Sequence, residues 1–375
     1  MTKSTDSGFK QYFNGNTARK LGQKICAVYP GFDTETYAAE VDRQVADKEL
    51  KARVLVLAQG LRQHLPQDYP QAAAILVAIL DAPLEPGQGM FNDGWYLMAV
   101  ARFVEEYGLD HPAESLDALR EITRRHTAEF AIRPFFDRHY DLTLATVNQW
   151  ATHTCAHVRR AASEGCRPRL PWGRVLNVFV NNPQPVLEIL ETLRSDPSAY
   201  VRKSVANNLN DIARDHPEQV LATAQRWLRE SPTTETAWTV RHALRTLIKQ
   251  GNAQALQMTG ASGGEHMSIK KLQLSPAAIT LGNSIILRFD IHNNDRQAHT
   301  AVIDYAVHHV RRNGKTIAKV FKLARLTLGP GEKRTIEKRH PIQPVTTRKY
   351  YPGKHKVDIQ VNGRIAAETA FELMV

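Results

Sequence analysis

Apolar residues recur at helical spacing from the N-terminus to about residue 255. In the clearest stretch, one face carries Val201, Val205, Ala206, Leu209, Ile212 and Ala213, which predicts an amphipathic helix. The sequence Asp215-His216-Pro217 predicts the end of that helix, because proline suits the first turn of the next one. A weaker copy begins at Ala52-Arg53 and also leads into a proline-led second helix.

This helical pattern is repeated. The related motifs Val158-Arg159-Arg160-Ala161, Val201-Arg202-Lys203-Ser204 and Val240-Arg241-His242-Ala243 begin 43 and 39 residues apart. A period near 40 is typical of HEAT-type helical pairs. Residues 20–255 therefore predict an α-solenoid of about six pairs, each burying its apolar stripe against its neighbours.

The pattern changes to strict alternation after a glycine-rich segment. Apolar residues alternate with polar ones around 286–291, 303–307 and 357–361, and Asn313-Gly314 and Asn362-Gly363 are strong hairpin signals. Six to eight such strands predict an immunoglobulin-like β-sandwich that lacks the usual Cys-Trp-Cys core. The chain is thus predicted to be multidomain, α then β. A HEAT-like repeat domain spans 1–255, a linker spans 256–266, and a basic immunoglobulin-like domain that binds DNA spans 267–375.

Charge is concentrated in the strand-rich part. The net charge is +11, and residues 265–375 hold 19 Lys and Arg against 9 Asp and Glu. This asymmetry favours a polyanionic partner such as nucleic acid. Three scattered cysteines and the absence of a long apolar run predict a cytoplasmic, nucleoid-associated protein without a disulfide framework, zinc cage or membrane partner. No HExxH motif or glycine-rich phosphate loop occurs, and no metal site is predicted.

Cations at the helix starts are candidate contacts for a sugar–phosphate backbone. Stacked repeats would align them along one surface, where they could bind phosphates; they are Arg159, Arg160, Arg202, Lys203 and Arg241. Equally, an arginine at this position can tie neighbouring repeats together through an aspartate, and Asp196 is close in sequence. The motifs leave both interpretations open.

Two further regions combine cations with aromatic residues. The loop Arg167-Pro168-Arg169-Leu170-Pro171-Trp172 is fixed by two prolines, which favours display of Arg169 and Trp172, although Trp172 could instead be buried in a crossover. In the strand-rich part, two basic turns suit phosphate contacts but could equally deter edge-to-edge aggregation. Their cations are Arg311, Arg312, Lys315, Lys349, Lys354 and Lys356.

Carboxylates close to the cationic stretch need an explanation, because they oppose phosphate binding. Glu121, Glu129 and Glu164 either pair with arginines or act catalytically. An anion can stabilise an oxocarbenium-like sugar and position water. The sequence does not choose among the three.

Three segments carry a family resemblance. HVRRAASEGCRPRLPW (157–172), TAEFAIRPFF (127–136) and YVRKSVANNLNDIARDHPEQV (200–220) resemble the AlkC branch of the bacterial AlkC/AlkD DNA glycosylases. The resemblance implies HEAT-like repeats that bind alkylated duplex DNA and, as in a subset of AlkC proteins, an immunoglobulin-like tail. It also implies excision of 3-methyladenine, and possibly 3-methylcytosine, without base flipping and with no metal or organic cofactor. The protein is expected to be a monomer.

The resemblance also suggests roles for individual residues. Arg160 matches a backbone-contacting arginine of AlkD relatives, whereas Asn207 stands where AlkD has a tryptophan. Trp150 or Trp172 would then replace that aromatic contact, or Asn207 and Asn208 would bind phosphate. The position equivalent to the catalytic carboxylate of AlkD would fall within residues 121–129, where Glu121 and Glu129 are both candidates. Arg133 and Trp238 complete the predicted DNA contacts.

Two other functions remain compatible with this sequence. HEAT repeats often form binding surfaces, and fold alone does not define function. The chain could therefore be a non-catalytic DNA-binding scaffold or a protein-interaction scaffold. Turnover on methylated DNA separates a glycosylase from a DNA-binding scaffold. A steep salt dependence of duplex binding separates a DNA-binding protein from a protein-interaction scaffold.

Overall fold

The computed structural model describes residues 6–85, 93–345 and 348–375, and its contacts divide the chain into two compact units, Met1–His216 and Pro217–Val375. The first unit is helical. Its helices are α1 (Asp6–Lys10), α2 (Gly15–Val28), α3 (Thr34–Val45), α4 (Leu50–His64), α5 (Tyr69–Ala78), α6 (Leu97–Tyr107), α7 (Pro112–Thr123), α8 (Arg133–Arg138), α9 (Tyr140–Ala151), α10 (Ala156–Gly165), α11 (Asn177–Asn181), α12 (Gln184–Leu193) and α13 (Ala199–Ile212), with a 3-10 turn at Asp93–Tyr96.

The predicted amphipathic faces are the buried faces of these helices. Helix α13 buries Val201, Val205, Leu209 and Ile212, as its spacing predicts. In the weaker copy, the Asp68 carboxylate caps the start of α5 by accepting from the Gln71 amide, and a proline occupies the first turn. Helix α10 packs against α9, α12 and α13. The first two copies of the repeat motif, on α10 and α13, therefore lie on adjacent helices.

The second unit combines helices with a β-sandwich. Helices α14 (Pro217–Glu230), α15 (Thr234–Ala243), α16 (Arg245–Lys249) and α17 (Ala253–Met258) precede β1 (Met267–Ser275), β2 (Ala278–Thr280), β3 (Ser284–Asn293), β4 (His299–Val310), β5 (Thr316–Leu328), β6 (Lys333–Pro341), β7 (Gly353–Val361) and β8 (Arg364–Met374). One sheet has the order β1-β3-β6, and the other has the order β2-β8-β7-β4-β5. The predicted fold class, helical repeats followed by an immunoglobulin-like sandwich, is confirmed.

Alternation along the central strands builds the sandwich core. Leu287, Phe289 and Ile291 of β3 face the interior, as do Ile303, Tyr305 and Val307 of β4. Both predicted Asn-Gly turns join antiparallel neighbours, β4 to β5 and β7 to β8, with positive φ at Gly314 and Gly363. A difference appears at Asp358, a polar position within β7, which is buried and paired with His308 at 2.5 Å.

The glycine-rich segment is anchored within the second unit. The Ser262 amide donates to the Thr300 carbonyl at 3.0 Å, and Leu256 and Ala261 pack against Val302 of β4. Helices α14–α17 therefore pack in the same unit as the sandwich, whereas the sequence pattern assigns them to the repeat domain. Among the described residues, no helix combines the length and apolarity needed to cross a membrane.

Candidate nucleic-acid interface and carboxylate network

Arg160 on α10 lies between two of the predicted catalytic carboxylates. Its Nη1 donates to Glu129 Oε2 at 2.6 Å and to Thr127 Oγ1 at 2.9 Å, and its Nη2 lies 3.4 Å from Glu164 Oε1. The guanidinium also lies over the Tyr200 ring, 5.3 Å from its centroid. The structure thus brings together Arg160 and Glu164, one turn apart on α10, and Glu129 from the segment between α7 and α8.

The network continues from Glu164 to the next repeat. Arg167 Nη1 donates to Glu164 Oε1 at 2.6 Å, and Arg167 Nε donates to Asp211 Oδ2 at 2.7 Å. The Ser204 hydroxyl donates to the other Glu164 oxygen at 2.5 Å. Ser204 is the fourth residue of the second repeat motif, so the helical repeat itself delivers this contact. We call Glu129, Arg160, Glu164, Arg167 and Asp211 the carboxylate network.

Electrostatic pairing within the carboxylate network favours the charged forms of Glu164 and Arg160. Burial favours the neutral form of Glu164, but Arg160, Arg167 and Ser204 outweigh burial and hold the pKa of its carboxyl below the usual value. Burial opposes the charged form of Arg160 too, yet Glu129 and Glu164 raise its pKa. Asp211 also faces Arg133 and Arg169 electrostatically, so cations outside the network balance its charge. Glu129 and Glu164 share the guanidinium of Arg160 at the other end of the network.

Arg159 joins neighbouring repeats through an aspartate, which is one of the two roles that the sequence allows for the helix-start cations. Its Nε and Nη2 donate to the two Asp196 oxygens at 2.5 and 3.1 Å, which ties α10 to the turn before α13. Arg202 donates to the carbonyls of Asp196 and Pro197. Lys203 is exposed. The motif therefore provides a repeat-joining contact at Arg159, whereas Arg202 bonds locally to the turn before its own helix.

Arg133 does not face DNA, which corrects its predicted role. The side chain is fully buried and donates to the carbonyls of Gly165, Arg167 and Arg174 at 2.9–3.0 Å. Burial lowers its pKa to about 10. A phosphate cannot reach this guanidinium. Arg133 instead braces both ends of the loop 167–174.

The braced loop presents Trp172 to solvent. Trp172 is 77% exposed and has a φ of 64°, a backbone conformation that non-glycine residues rarely adopt. Lys51 donates to its carbonyl, and Arg169 on the same loop forms a bidentate pair with Asp215 at 2.8 and 3.0 Å. Strain that is retained at an exposed aromatic residue is typical of functional positions.

Two other predicted contacts are contradicted by burial. Trp150 packs inside the first unit, and Asn208 is fully buried with its amide donating to the Ser163 carbonyl at 2.7 Å. Both belong to the helix packing, because their side chains follow the apolar face rather than the solvent face. Asn207 remains partly exposed.

Glu121 lies in a different setting from Glu129 and Glu164. Its Oε2 accepts from Arg124 at 3.0 Å and from Arg125 at 2.8 Å, both on the next turn of the chain. Burial tends to raise the pKa of Glu121, but these arginines lower it overall. These contacts fix the end of α7.

A basic groove of about 860 Å³ lies in the sandwich. Its wall includes the predicted cations Arg311, Arg312 and Lys349, together with Lys319 and Arg348. Lys349 lies over the Tyr351 ring, and Arg348 lies over Tyr350. Arg348 Nη1 also donates to the buried His309 Nε2 at 2.5 Å. The groove therefore combines cations and rings, as the sequence predicts for this region.

The remaining predicted contacts in the second unit have mixed settings. Lys315 and Lys354 are exposed, whereas Lys356 is paired with Glu368 at 2.5 Å. Arg241 is exposed on α15, and Trp238 stacks on His242 at 5.2 Å. Each remains a predicted DNA contact.

Comparison with known proteins connects these features. A family model of DNA alkylation repair enzymes matches residues 116–247, and a model of the C-terminal Ig-like domain of the uncharacterised protein YhaZ matches residues 268–375. The uncharacterised protein YhaZ of Bacillus subtilis (strain 168) is 35% identical, covering 97% of this chain and 99% of its own length. The alkylpurine DNA glycosylase AlkC of Pseudomonas fluorescens, solved bound to DNA containing an abasic site analog, aligns with a TM-score of 0.90. It is 38% identical, covering 98% of this chain and 99% of its own. The chain belongs to the AlkC family.

Membership of the AlkC family confirms the resemblance seen in the three sequence segments. The carboxylate network lies entirely within the part matched by the DNA alkylation repair model, and the basic groove lies within the Ig-like match. Sequence reasoning missed Thr127, Tyr200 and Ser204 as partners of the network. Ser204 stands where the other two copies of the motif have an alanine, Ala161 and Ala243, and this polar replacement is the signal that could have revealed it.

Proposed function

We propose that this AlkC-family chain is a DNA glycosylase that hydrolyses the N-glycosidic bond of cationic N3-alkylated bases in duplex DNA. The preferred substrate would be 3-methyladenine, followed by 3-methylcytosine. The observation that carries the proposal is the carboxylate network, in which Glu129 and Glu164 are both held around Arg160. The match to an alkylpurine DNA glycosylase supports the reaction class.

The chemistry explains why cationic bases are the fitting substrates. A base that already carries positive charge leaves C1′ with the bonding electron pair as a neutral molecule, so no protein group needs to protonate it. The ionised Glu164 could not act as such an acid. The remaining requirement is an anion that stabilises the positive charge developing on the deoxyribose. Water then adds to C1′ and loses a proton, which completes hydrolysis.

Glu129 is the carboxylate best placed for that role. Glu164 accepts hydrogen bonds or ion-pair contacts at both oxygens, from Arg160, Arg167 and Ser204. For Glu129, by contrast, the described part of the chain shows contacts at Oε2 alone. Glu129 Oε1 thus keeps acceptor capacity for water or for the sugar. We assign Glu129 as the catalytic residue, and Glu164 and Arg160 as positioning residues.

DNA would be held by two different surfaces. The exposed ring of Trp172 offers a stacking or wedging contact to the damaged strand, and the cations of the basic groove suit phosphates. Excision of a cationic base requires no general acid, and it requires few protein contacts to the base-pairing edge of that base. We therefore propose excision without rotation of the base into a pocket, as the resemblance implies.

Base release from N-methylated duplex DNA, measured by chromatography under single-turnover conditions, tests the proposal. Glu129→Gln should slow release of 3-methyladenine by about 100- to 1,000-fold, since it removes a charge that acts in the transition state. The dissociation constant for duplex DNA should stay unchanged. Glu121→Gln is the matched comparison, because it removes the other candidate carboxylate of the 121–129 segment, and it should release base at the wild-type rate.

Three outcomes would change the assignment. A slow Glu121→Gln variant beside a fast Glu129→Gln variant would transfer the catalytic role to Glu121. Equal rates for both variants and the wild type would exclude both Glu121 and Glu129 as the catalytic residue. If the wild type released no base but bound duplex DNA in a salt-sensitive way, the chain would be a DNA-binding scaffold.

A further inference from the structure

Three potential metal ligands converge where the glycine-rich segment meets the sandwich. His299 Nε2 lies 2.6 Å from Asp295 Oδ2, and His266 Nε2 lies 3.7 Å from the same oxygen. One donor atom from each of the three residues lies within 4.8 Å of the other two. The two imidazole rings are nearly parallel, with centroids 5.4 Å apart. Two imidazole nitrogens therefore approach one carboxylate oxygen from neighbouring positions.

Backbone contacts hold the segments that carry these ligands. The Asn294 amide and its side-chain Nδ2 both donate to the His266 carbonyl, at 2.9 and 3.0 Å. The Asp295 amide donates to Asn293 Oδ1 at 3.0 Å, and Asp295 Oδ1 accepts from the Arg296 amide at 2.6 Å. Asp295 Oδ2 is thereby left to face the histidines.

Gly263 fixes the position of the His299 ring. Gly263 has a φ of 62°, and a Cβ at this position would lie 2.2 Å from His299 Cγ. Only glycine allows the chain to pass so close to the imidazole while turning toward His266. The packing of this turn therefore orients one ligand and delivers the next.

We propose that His266, Asp295 and His299 bind a borderline divalent transition-metal ion, with Zn²⁺ as the best fit. Two imidazole nitrogens and one carboxylate oxygen are ligands that Zn²⁺ accepts, whereas Mg²⁺ and Ca²⁺ prefer oxygen ligands. Tetrahedral bonds of about 2.0–2.2 Å place ligand atoms about 3.3 Å apart. On metal binding, the distance from His299 Nε2 to Asp295 Oδ2 would increase from 2.6 Å, and the distance from His266 Nε2 to the same oxygen would decrease from 3.7 Å.

The environment can complete the coordination. Glu265 Oε1 lies 3.7 Å from His266 Nε2, and the side chain of His266 is about half exposed, so a second carboxylate or a water can provide the fourth ligand. The ion would tie the turn at 263–266 to the start of β4. Its role would be structural and independent of the glycosylase chemistry, since all of its ligands lie outside the carboxylate network.

Direct metal binding by the untagged full-length chain tests this site. The protein, stripped with a chelator, is titrated with Zn²⁺ by calorimetry, and circular dichroism checks the fold of each variant. About one equivalent should bind, and His266→Ala, Asp295→Asn and His299→Ala should each weaken binding by about tenfold or more. His292→Ala, which removes a histidine of β3 outside the cluster, should bind like the wild type.

Two results would overturn the site. One is no heat of binding and no chelator-competitive uptake of Zn²⁺ by the wild type. The other is a folded double variant His266→Ala/His299→Ala that binds one equivalent with wild-type affinity. A rise in melting temperature on adding Zn²⁺ to the wild type, lost in the double variant, would support the structural role.

Discussion

Two arginine-rich regions of this chain look alike in sequence and differ in their surroundings. In the first unit, Arg159, Arg160 and Arg167 all face carboxylates at 2.5–2.7 Å. In the sandwich, none of the described residues places a carboxylate within 4 Å of Arg311, Arg312 or Lys349. Density of positive charge along a sequence therefore does not show where a polyanion binds. The partner of each cation decides that.

The same contrast separates two tasks. Buried ion pairs in the carboxylate network fix two glutamates beside the guanidinium of Arg160, an arrangement that suits the proposed cationic sugar or base. Open cations in the basic groove keep their positive potential, which suits phosphates and depends on salt. Substitutions in the two regions should consequently affect different measurements.

The largest expected effect is the loss of Arg160. Arg160→Ala leaves Glu129 and Glu164 buried without their shared cation, which should cost about 3 kcal/mol of unfolding free energy and abolish excision. Urea unfolding and base release measure the two effects. Arg312→Ala in the groove should change the unfolding free energy by less than about 0.5 kcal/mol. Similar losses for both variants would remove the distinction between buried and open arginines.

Trp172 should show the opposite behaviour, with an effect on DNA rather than on folding. Because its ring is exposed, Trp172→Ala should leave the melting temperature nearly unchanged. Loss of a base-stacking contact should weaken binding to lesion DNA by about 10- to 100-fold. Trp172→Phe should restore most of the affinity. A variant that melts early but binds normally would show that the ring serves packing.

Sequence pattern predicted the elements better than it predicted the site. Period-3.6 and period-2 patterns revealed α13 and β3, because burial acts on every residue of a face. The burial of Arg133 and Asn208 could not be predicted from such a pattern. In the sequence, a buried arginine or asparagine that donates to backbone carbonyls cannot be distinguished from an exposed one. Only the three-dimensional contacts of the side chain show which of the two it is.

The carboxylates show the same limit. The sequence narrowed catalysis to Glu121, Glu129 and Glu164, since those residues accompany the cationic stretch. It could not separate them, because the distinction rests on contacts that Glu164 accepts from Arg167 and from Ser204 of the following repeat. The His266–Asp295–His299 cluster was not predicted from the sequence for a related reason. Its ligands come from two separate segments, whereas sequence motifs detect ligands at short, regular spacing.

A smaller effect is expected from the groove. Arg311→Ser combined with Arg312→Ser should weaken duplex binding and flatten its salt dependence by about one unit of log–log slope per lost phosphate contact. These point variants are preferable to deletion of residues 265–375, because helices α14–α17 pack with the sandwich. Lys338→Ser, a cation of β6 outside the groove wall, is the control. An unchanged slope in the double variant would place the DNA elsewhere.

A final effect should appear only under acidic conditions, in the pH dependence of stability. Burial first, and then the charge of Arg348, lowers the pKa of His309 to about 3, and burial lowers that of His340 to about 4. The folded state therefore binds fewer protons than the unfolded state, whose histidines titrate near 6.5. The stabilisation is complete above that value and is lost as the pH falls toward 3. Unfolding free energies at pH 7.5 and 5.0 should thus differ, and His309→Gln should reduce the difference because glutamine can accept the Arg348 hydrogen bond without titrating. His292→Gln should not reduce it, and an equal reduction by both variants would mean that the pH dependence arises outside this buried cluster.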